Sequence, residues 1–372
     1  MLLTALLFII VLSLLVFVHE LGHFLMARKM GMRVDEFGFG FPPRLWGIKR
    51  GGTIYSINWI PLGGFVKIKG ESGEDRTDAD SFASKPAWQR FFVLVAGVTM
   101  NWLLAAILLS GTFMVGAPSV TDGELPAGAR VRDPVVRVMS VLPESPAYRA
   151  GIVSGDAVLS VNGQAFQEAE LARQFITERS GEGVTLVLQR ENKEAYQAEL
   201  VAEQIPGVET KAVGVRLVTT ALVSYPPHLA VVYGVVATAT TTRDILFAFG
   251  GLLRDLVLTG RVSSDLSGPV GIAVMTGQAA ALGFVHLLQF TALLSINLAI
   301  INILPFPALD GGRVFFIAME KLRRRTVSQY AETIAHNIGF LLLMGLVLIV
   351  TYRDVVRFGG QILGTVKSLF GA

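Results

Sequence analysis

An apolar run that begins at Leu2 ends in two imidazoles and a carboxylate. From Leu2 to Val18 nearly every side chain is aliphatic or aromatic, His19-Glu20-Leu21-Gly22-His23 follow, and Phe24 to Ala27 resume the apolar pattern. A stretch of this length and composition predicts one membrane-spanning helix. An ionisable side chain near the centre of such a helix costs about 2.5–3.5 kcal/mol by insertion scales, so its presence calls for a functional reason. Residues four apart share a helix face, so His19 and His23 can point at one metal ion, with Glu20 beside them.

H-E-x-x-H is the pattern in which two histidines hold Zn2+ and the glutamate takes a proton from the attacking water. Five residues alone are a weak signal, since a histidine near a helix end is often an interfacial residue satisfied by its neighbours. An apolar helix, where charge must be compensated, favours the metal. The run has no basic segment before it and no small-x-small site after it, so it reads as a retained span rather than a cleaved signal peptide.

The rest of the chain agrees with a membrane setting. Of 372 residues, 52% are hydrophobic and 16% charged, which leaves room for several spans and one modest soluble domain. There is no cysteine, so a transition-metal site has to use His, Asp or Glu. The net charge of +3 comes from basic residues beside apolar runs, which the positive-inside rule explains without a nucleic-acid partner.

Taken in order, residues 1–27 are expected to form the first span. Arg28, Lys29 and Arg33 follow it, which puts the metal-binding end at the cytoplasm and the N-terminus outside. Residues 28–90 form a cytoplasmic-side loop with a membrane-associated β-hairpin, its strands at Thr53 to Trp59 and Phe65 to Lys69 about a turn at Pro61 and Gly63-Gly64. The second span is 91–116, where Gly97 and Asn101 share a face; Asn101 either bridges helices or holds a substrate backbone. An extracytoplasmic region, 117–220, carries a soluble α+β domain over about 134–203. Residues 221–283 are expected as amphipathic extracytoplasmic helices, because one more crossing would deliver Asp310 and the basic run Lys321, Arg323, Arg324 and Arg325 to the wrong side. The third span is 284–304, the Asp310 segment and basic loop 305–336, the fourth span 337–352, and the tail 353–372. The fold class is thus a polytopic α-helical membrane protein with four transmembrane helices, a hairpin and an inserted domain.

A catalytic zinc keeps three protein ligands and one open position. Position 26 is Met and position 29 is Lys, so a third histidine does not follow the motif. His228 and His286 fall on the outer side, and His336 has no motif around it. Asp310 shares the depth of His19 and His23 and sits where Pro305 and Pro307 break the helix, which makes it the best third ligand, although an aspartate before Gly-Gly can also cap a helix.

The run from Ser145 to Gly163, S-P-A-x-x-A-G-I-x-x-G-D-x-V-L-S-V-N-G, resembles a PDZ domain of bacterial envelope proteases, with its peptide groove expected between Val136 to Leu142 and Leu171 to Ile176. H-E-x-x-H in the first span, G-x-x-x-N at Gly97 and Asn101, one PDZ-like domain and N-x-x-P-x-P-x-L-D-G from Asn302 together resemble the site-2 protease family of intramembrane zinc metalloproteases, in its bacterial regulator-of-sigma-E branch but with one PDZ domain. The resemblance implies Zn2+ on His19, His23 and Asp310, Glu20 as general base, and Asn302 near the site. Asn101, Asn302, Pro305 and Pro307 are the substrate-binding candidates. It also implies a plasma-membrane enzyme of bacteria that performs regulated intramembrane proteolysis on pre-trimmed single-span proteins, such as anti-sigma factors or leftover signal peptides, with peptide or protein ends held at the PDZ domain. The rival is a membrane-anchored PDZ scaffold without catalysis.

Overall fold

The computed structural model describes residues 2–73, 75–123, 125–179, 181–190, 194–205, 211–260, 267–324 and 328–369; Arg325 of the basic run lies outside them. Along the chain come α1 (Leu2–Lys29), β1 (Val34–Arg50), β2 (Thr53–Ile68), α2 (Ala87–Val115), β3 (Ala117–Val120), β4 (Arg130–Val141), α3 (Pro146–Arg149), β5 (Ala157–Val161) and α4 (Ala169–Glu178). Then follow β6 (Gly183–Gln189), β7 (Ala195–Val201), β8 (Val215–Ser224), α5 (Pro227–Thr259), α6 (Pro269–Leu282), α7 (Phe284–Ile303), α8 (Asp310–Arg323) and α9 (Gln329–Leu369). The chain divides into two compact units, Met1–Ser110 with Val231–Ala372, and Gly111–Ala230.

In the first unit, α1, α2, α5, α7 and α9 are each long and apolar enough to cross a membrane. Helices α1 and α2 pack backbone to backbone where Gly22 meets Ala96, since a Cβ on Gly22 would lie 2.4 Å from the Ala96 carbonyl oxygen. The stretch expected as helices over 221–283 holds two, and the first, residues 227–259, is one continuous helix in which Thr238 and Thr242 donate to the carbonyls of Gly234 and Thr238 at 2.8 and 2.7 Å.

The hairpin is larger than the sequence suggested, and its turn is elsewhere. Gly51 and Gly52, at φ +58° and +86°, make the tip, in the conformation that two-residue hairpin turns favour. Pro61 to Gly64 instead form a bend inside β2. Both strands fold back and pair twice: Phe37 faces Val66 on one side and Tyr55 on the other, while Trp46 faces Ile57. The result is a four-segment sheet in the order 44–50, 53–58, 34–41, 64–68. Its outer segment 64–68 runs along α1. Ser13 Oγ donates to the Pro61 carbonyl at 2.6 Å and accepts from Gly63 N at 3.2 Å, and Phe24 stacks on Phe37.

The second unit is a six-stranded antiparallel sheet in the order β3-β8-β4-β5-β6-β7, with α4 against β8. Its core is Val136, Val138, Ile152, Val158, Val161, Ile176, Leu186, Leu188, Leu200 and Leu217. The strands β3 and β8 were not expected. They also correct the groove: β8 lies between β4 and α4, so the strand beside the helix is β8, while β4 pairs with β8 along most of its length and with β5 at Arg137. The exposed edge is the start of β8, because β3 pairs only with residues 220–223. An open cavity there is lined by Arg173, Ile176 and Thr177 of α4, by Ser140 and Leu142 around the end of β4, by Ala202 and by residues 211–217, so it includes part of both expected walls.

Candidate metal centre

His19 and His23 sit one helical turn apart on the inner face of α1, each about 6% exposed. Asp310 reaches them from the first residue of α8. Its approach depends on Gly311 and Gly312, which pack on the turn leaving α7: a Cβ at position 311 would lie 2.2 Å from the Leu304 carbonyl oxygen, and at position 312 it would lie 2.4 Å from that of Phe306. Helix α8 is then tied down by Arg90 to Glu320 at 2.8 Å and by an ion pair between Arg313 and Glu71.

Three donor atoms converge. His19 Nε2 is 2.9 Å from Asp310 Oδ2, His23 Nε2 is 3.3 Å from the same oxygen, and the two Nε2 atoms are 3.1 Å apart. Zinc bonds of about 2.0–2.1 Å in tetrahedral geometry put ligand atoms roughly 3.3 Å from one another. Two imidazole nitrogens and a carboxylate oxygen at this spacing fit Zn2+ and leave a fourth corner for water. Among the described residues this is the one group of three such side chains able to hold a metal ion.

The far sides of both rings meet α2. His23 Nδ1 donates to the Val93 carbonyl at 2.8 Å, which leaves Nε2 as its free lone pair. Four residues on, Gly97 makes room for both rings, since a Cβ there would lie 2.5 Å from His23 Nε2 and 2.8 Å from His19 Cε1. Four further on, the Asn101 amide lies 3.3 Å from His19 Nδ1, and the Asn101 carbonyl accepts from Ser295 Oγ of α7 at 2.8 Å.

Asn101, read from the sequence as either a bridge between helices or a substrate-binding residue, is 0% exposed, and its amide lies beside the His19 ring on the turn of α2 that follows Gly97. Asn302 lies on the last turn of α7, Pro305 is exposed, and Pro307 packs on Gly339 of α9; among the described residues none of them hydrogen bonds to the triad. Glu20 accepts the N–H of Val66 at 3.1 Å, which brings the outer sheet segment to the metal centre. The backbone partners Val93 and Val66 carry no sequence signal, as any residue supplies a carbonyl or an amide.

Residues 7–346 match the model of Peptidase family M50. A relative from Clostridium perfringens is 35% identical over 348 residues, covering 92% of this chain and 96% of its own. The zinc metalloprotease RasP of Geobacillus kaustophilus is 31% identical over 435 aligned positions, covering 94% and 97%. The regulator of sigma-W protease RasP of Bacillus subtilis is 30% identical, covering 95% and 98%. The solved PDZ domain of the SdrC-like protein of Listeria monocytogenes aligns with 24% of this chain and 92% of its own at 25% identity, with a TM-score of 0.21.

Proposed function

The chain belongs to Peptidase family M50, and from that premise we propose which residues, orientation and substrates its chemistry uses. It is a multi-pass membrane protein and a zinc metalloprotease of the site-2, intramembrane type. The observation that carries the residue assignment is the convergence of His19, His23 and Asp310 within 3.3 Å, with Glu20 next in sequence.

In this reading His19 Nε2, His23 Nε2 and Asp310 Oδ2 hold the ion and Glu20 is the general base. Zinc, when bound, polarises the scissile carbonyl and lowers the pKa of water to about 7. Glu20 takes the proton of the attacking water and passes it to the leaving amine. Asn101 is a positioning residue. A neutral imidazole that ligates through Nε2 carries its proton on Nδ1, and the Asn101 amide, turned to present Oδ1, accepts it.

The substrate is a single-span protein already trimmed by another protease, of the anti-sigma-factor or remnant signal-peptide kind; a link to sigma-factor regulation is in keeping with the name of the Bacillus subtilis relative. Its helix has to unwind, because helical carbonyls are hydrogen bonded. The unwound stretch adds as a strand along segment 64–68, beside Glu20, with Asn302 and the Pro305 to Pro307 turn on the other wall. Exposed Phe41, Leu45, Trp46, Trp59 and Ile60 favour a sheet set into the membrane at its deep end. A peptide end adds to the β8 edge in the PDZ-like unit.

Four spans, α1, α2, α7 and α9, place the metal centre toward the cytoplasm and the PDZ-like unit and both termini outside. The position of α6 supports this count. Its Gly277 packs on Thr4, fifteen residues or about 22 Å up α1 from His19, and its Gly271 N–H is donated to Asp354 of α9 at 2.7 Å. Helix α7 therefore starts at the end remote from the metal. A crossing by α5 would leave residues 260–268 alone to return across the bilayer.

The test is to quantify zinc and cleavage of a pre-trimmed single-span substrate by the detergent-purified chain and by Glu20→Gln. Zinc in both with cleavage only by the unaltered chain supports the assignment. Cleavage by Glu20→Gln at the unaltered rate removes Glu20 from the mechanism.

A further inference from the structure

One largely buried histidine takes no part in the chemistry above. His336 stands on the second turn of α9 with its side chain 19% exposed. Its Nδ1 accepts the backbone N–H of Ala308 at 2.8 Å, so that nitrogen bears a lone pair and no proton. The ring also packs on Phe316 of α8, with centroids 5.7 Å apart.

Ala308 has φ +82°, a left-handed conformation that a residue with a Cβ adopts only where its surroundings enforce it. It lies two residues before Asp310. Helix α9 supplies the enforcement twice from one face. His336 binds the Ala308 amide, and Gly339, one turn on, admits Pro307 so closely that a Cβ there would lie 2.3 Å from the Pro307 carbonyl oxygen. The chain between α7 and α8 is thereby gripped at two successive residues, and the direction in which Asp310 leaves it is set.

We infer that His336 is a positioning residue for the third metal ligand: its grip on the Ala308 amide holds the turn that presents Asp310 to His19 and His23. The inference rests on the assignment of that triad as the zinc site. It gives α9 a hand in metal binding although α9 supplies no ligand.

Zinc affinity of the full chain in detergent, measured by competition with a chromogenic chelator, tests this directly. His336→Ala is expected to bind zinc about 10-fold or more weakly, within the 10–100-fold range typical of outer partners of metal ligands. His336→Asn places an amide oxygen where Nδ1 was and is expected to stay within about 3-fold of the unaltered chain, since a carbonyl oxygen is as good an acceptor. Ala308→Gly takes the positive φ without a side-chain penalty, so the same His336→Ala change is expected to lose less affinity in that background. Equal affinity of His336→Ala and the unaltered chain overturns the inference, and so does a His336→Asn variant as weak as His336→Ala. Should His336→Ala not fold, Gly339→Ala presses on Pro307 from the same face, and unchanged zinc binding there is equally fatal. An unaltered chain that holds no zinc counts instead against the triad itself, and takes this inference down with it.

Discussion

The Val93 carbonyl takes the Nδ1 proton of His23 at 2.8 Å, and the same stripe of α2 carries Gly97 and Asn101 against the two rings. A helix outside the proposed ligand set thus sets the orientation of two of its members. Gly97→Ala tests how tight the fit is. Its Cβ would sit 2.5 Å from His23 Nε2 with backbone on the other side, so the ring or the helix has to move. Zinc content after purification is expected to fall well below one ion per chain, while the yield of folded protein in detergent stays close to that of the unaltered chain.

Asn101 separates two roles that share a position. As the acceptor for His19 Nδ1–H, it makes Asn101→Leu bind zinc about 10–100-fold more weakly, whereas Asn101→Asp, which still accepts, retains the ion far better. A residue that only held substrate would raise KM in both variants and leave chelator competition unchanged. Measuring both quantities on the same preparations decides between them.

In the second unit, Asp156 is fully buried and holds three groups together through four hydrogen bonds. Arg190 Nε and Nη2 lie at 2.9 and 3.1 Å, the Tyr196 hydroxyl donates at 2.6 Å, and Val153 N–H donates at 2.9 Å. Burial alone would raise the pKa of the carboxyl, but these donors outweigh it and hold the group below the usual carboxylate range. A depressed pKa in the folded state stabilises at pH above the unfolded value of about 3.9, and the contribution is lost as pH falls through the folded value. Melting of this unit, followed by circular dichroism or proteolysis, is therefore expected to be flat from neutral pH to about pH 5 in this respect and to drop below about pH 4. Asp156→Ala is expected to remove about 1–3 kcal/mol at neutral pH and to flatten the acid limb, because the Val153 N–H and the Tyr196 hydroxyl lose their buried acceptor.

The β8 edge makes a prediction opposite to the one β4 would make. Gly214 turns its carbonyl to Leu142 and Thr219 turns its carbonyl to Thr121, so alternate residues Val215 and Leu217 face outward. Val215→Pro removes an outward N–H without breaking a bond to β4. Affinity for a fluorescent peptide ending in the trimmed terminus of a substrate is expected to fall about 5-fold, the worth of one backbone hydrogen bond. Unchanged affinity would place the peptide elsewhere.

The three converging donors were legible because H-E-x-x-H is local and because Asp310 sits in a run whose prolines and glycines announce a break. What was not legible depends on strand order and on backbone atoms. Residues 215–224 lie in a sheet next to α4 and show no clean alternation, so β8 did not stand out, and with it missing β4 looked like an edge. The hairpin was undersized because the glycines and prolines from Gly38 to Pro43 carry no strand signal, whereas in the structure β1 pairs on both sides of the reversal they make. Residues 227–259 were assigned by charge parity alone, which counts crossings and does not show that they form one helix, in which Thr238 and Thr242 return their hydroxyls to their own backbone.

His19 and Asp310 are separated by 291 residues, and the donor triad needs both. At a synthesis rate of about 5–20 residues per second, the aspartate leaves the ribosome roughly 15–60 s after the histidine. Until then, the first span is an apolar helix with two unemployed imidazoles. The donor triad is therefore assembled only after the chain through α7 has been made, and a product truncated before α8 carries two of the three proposed zinc donors.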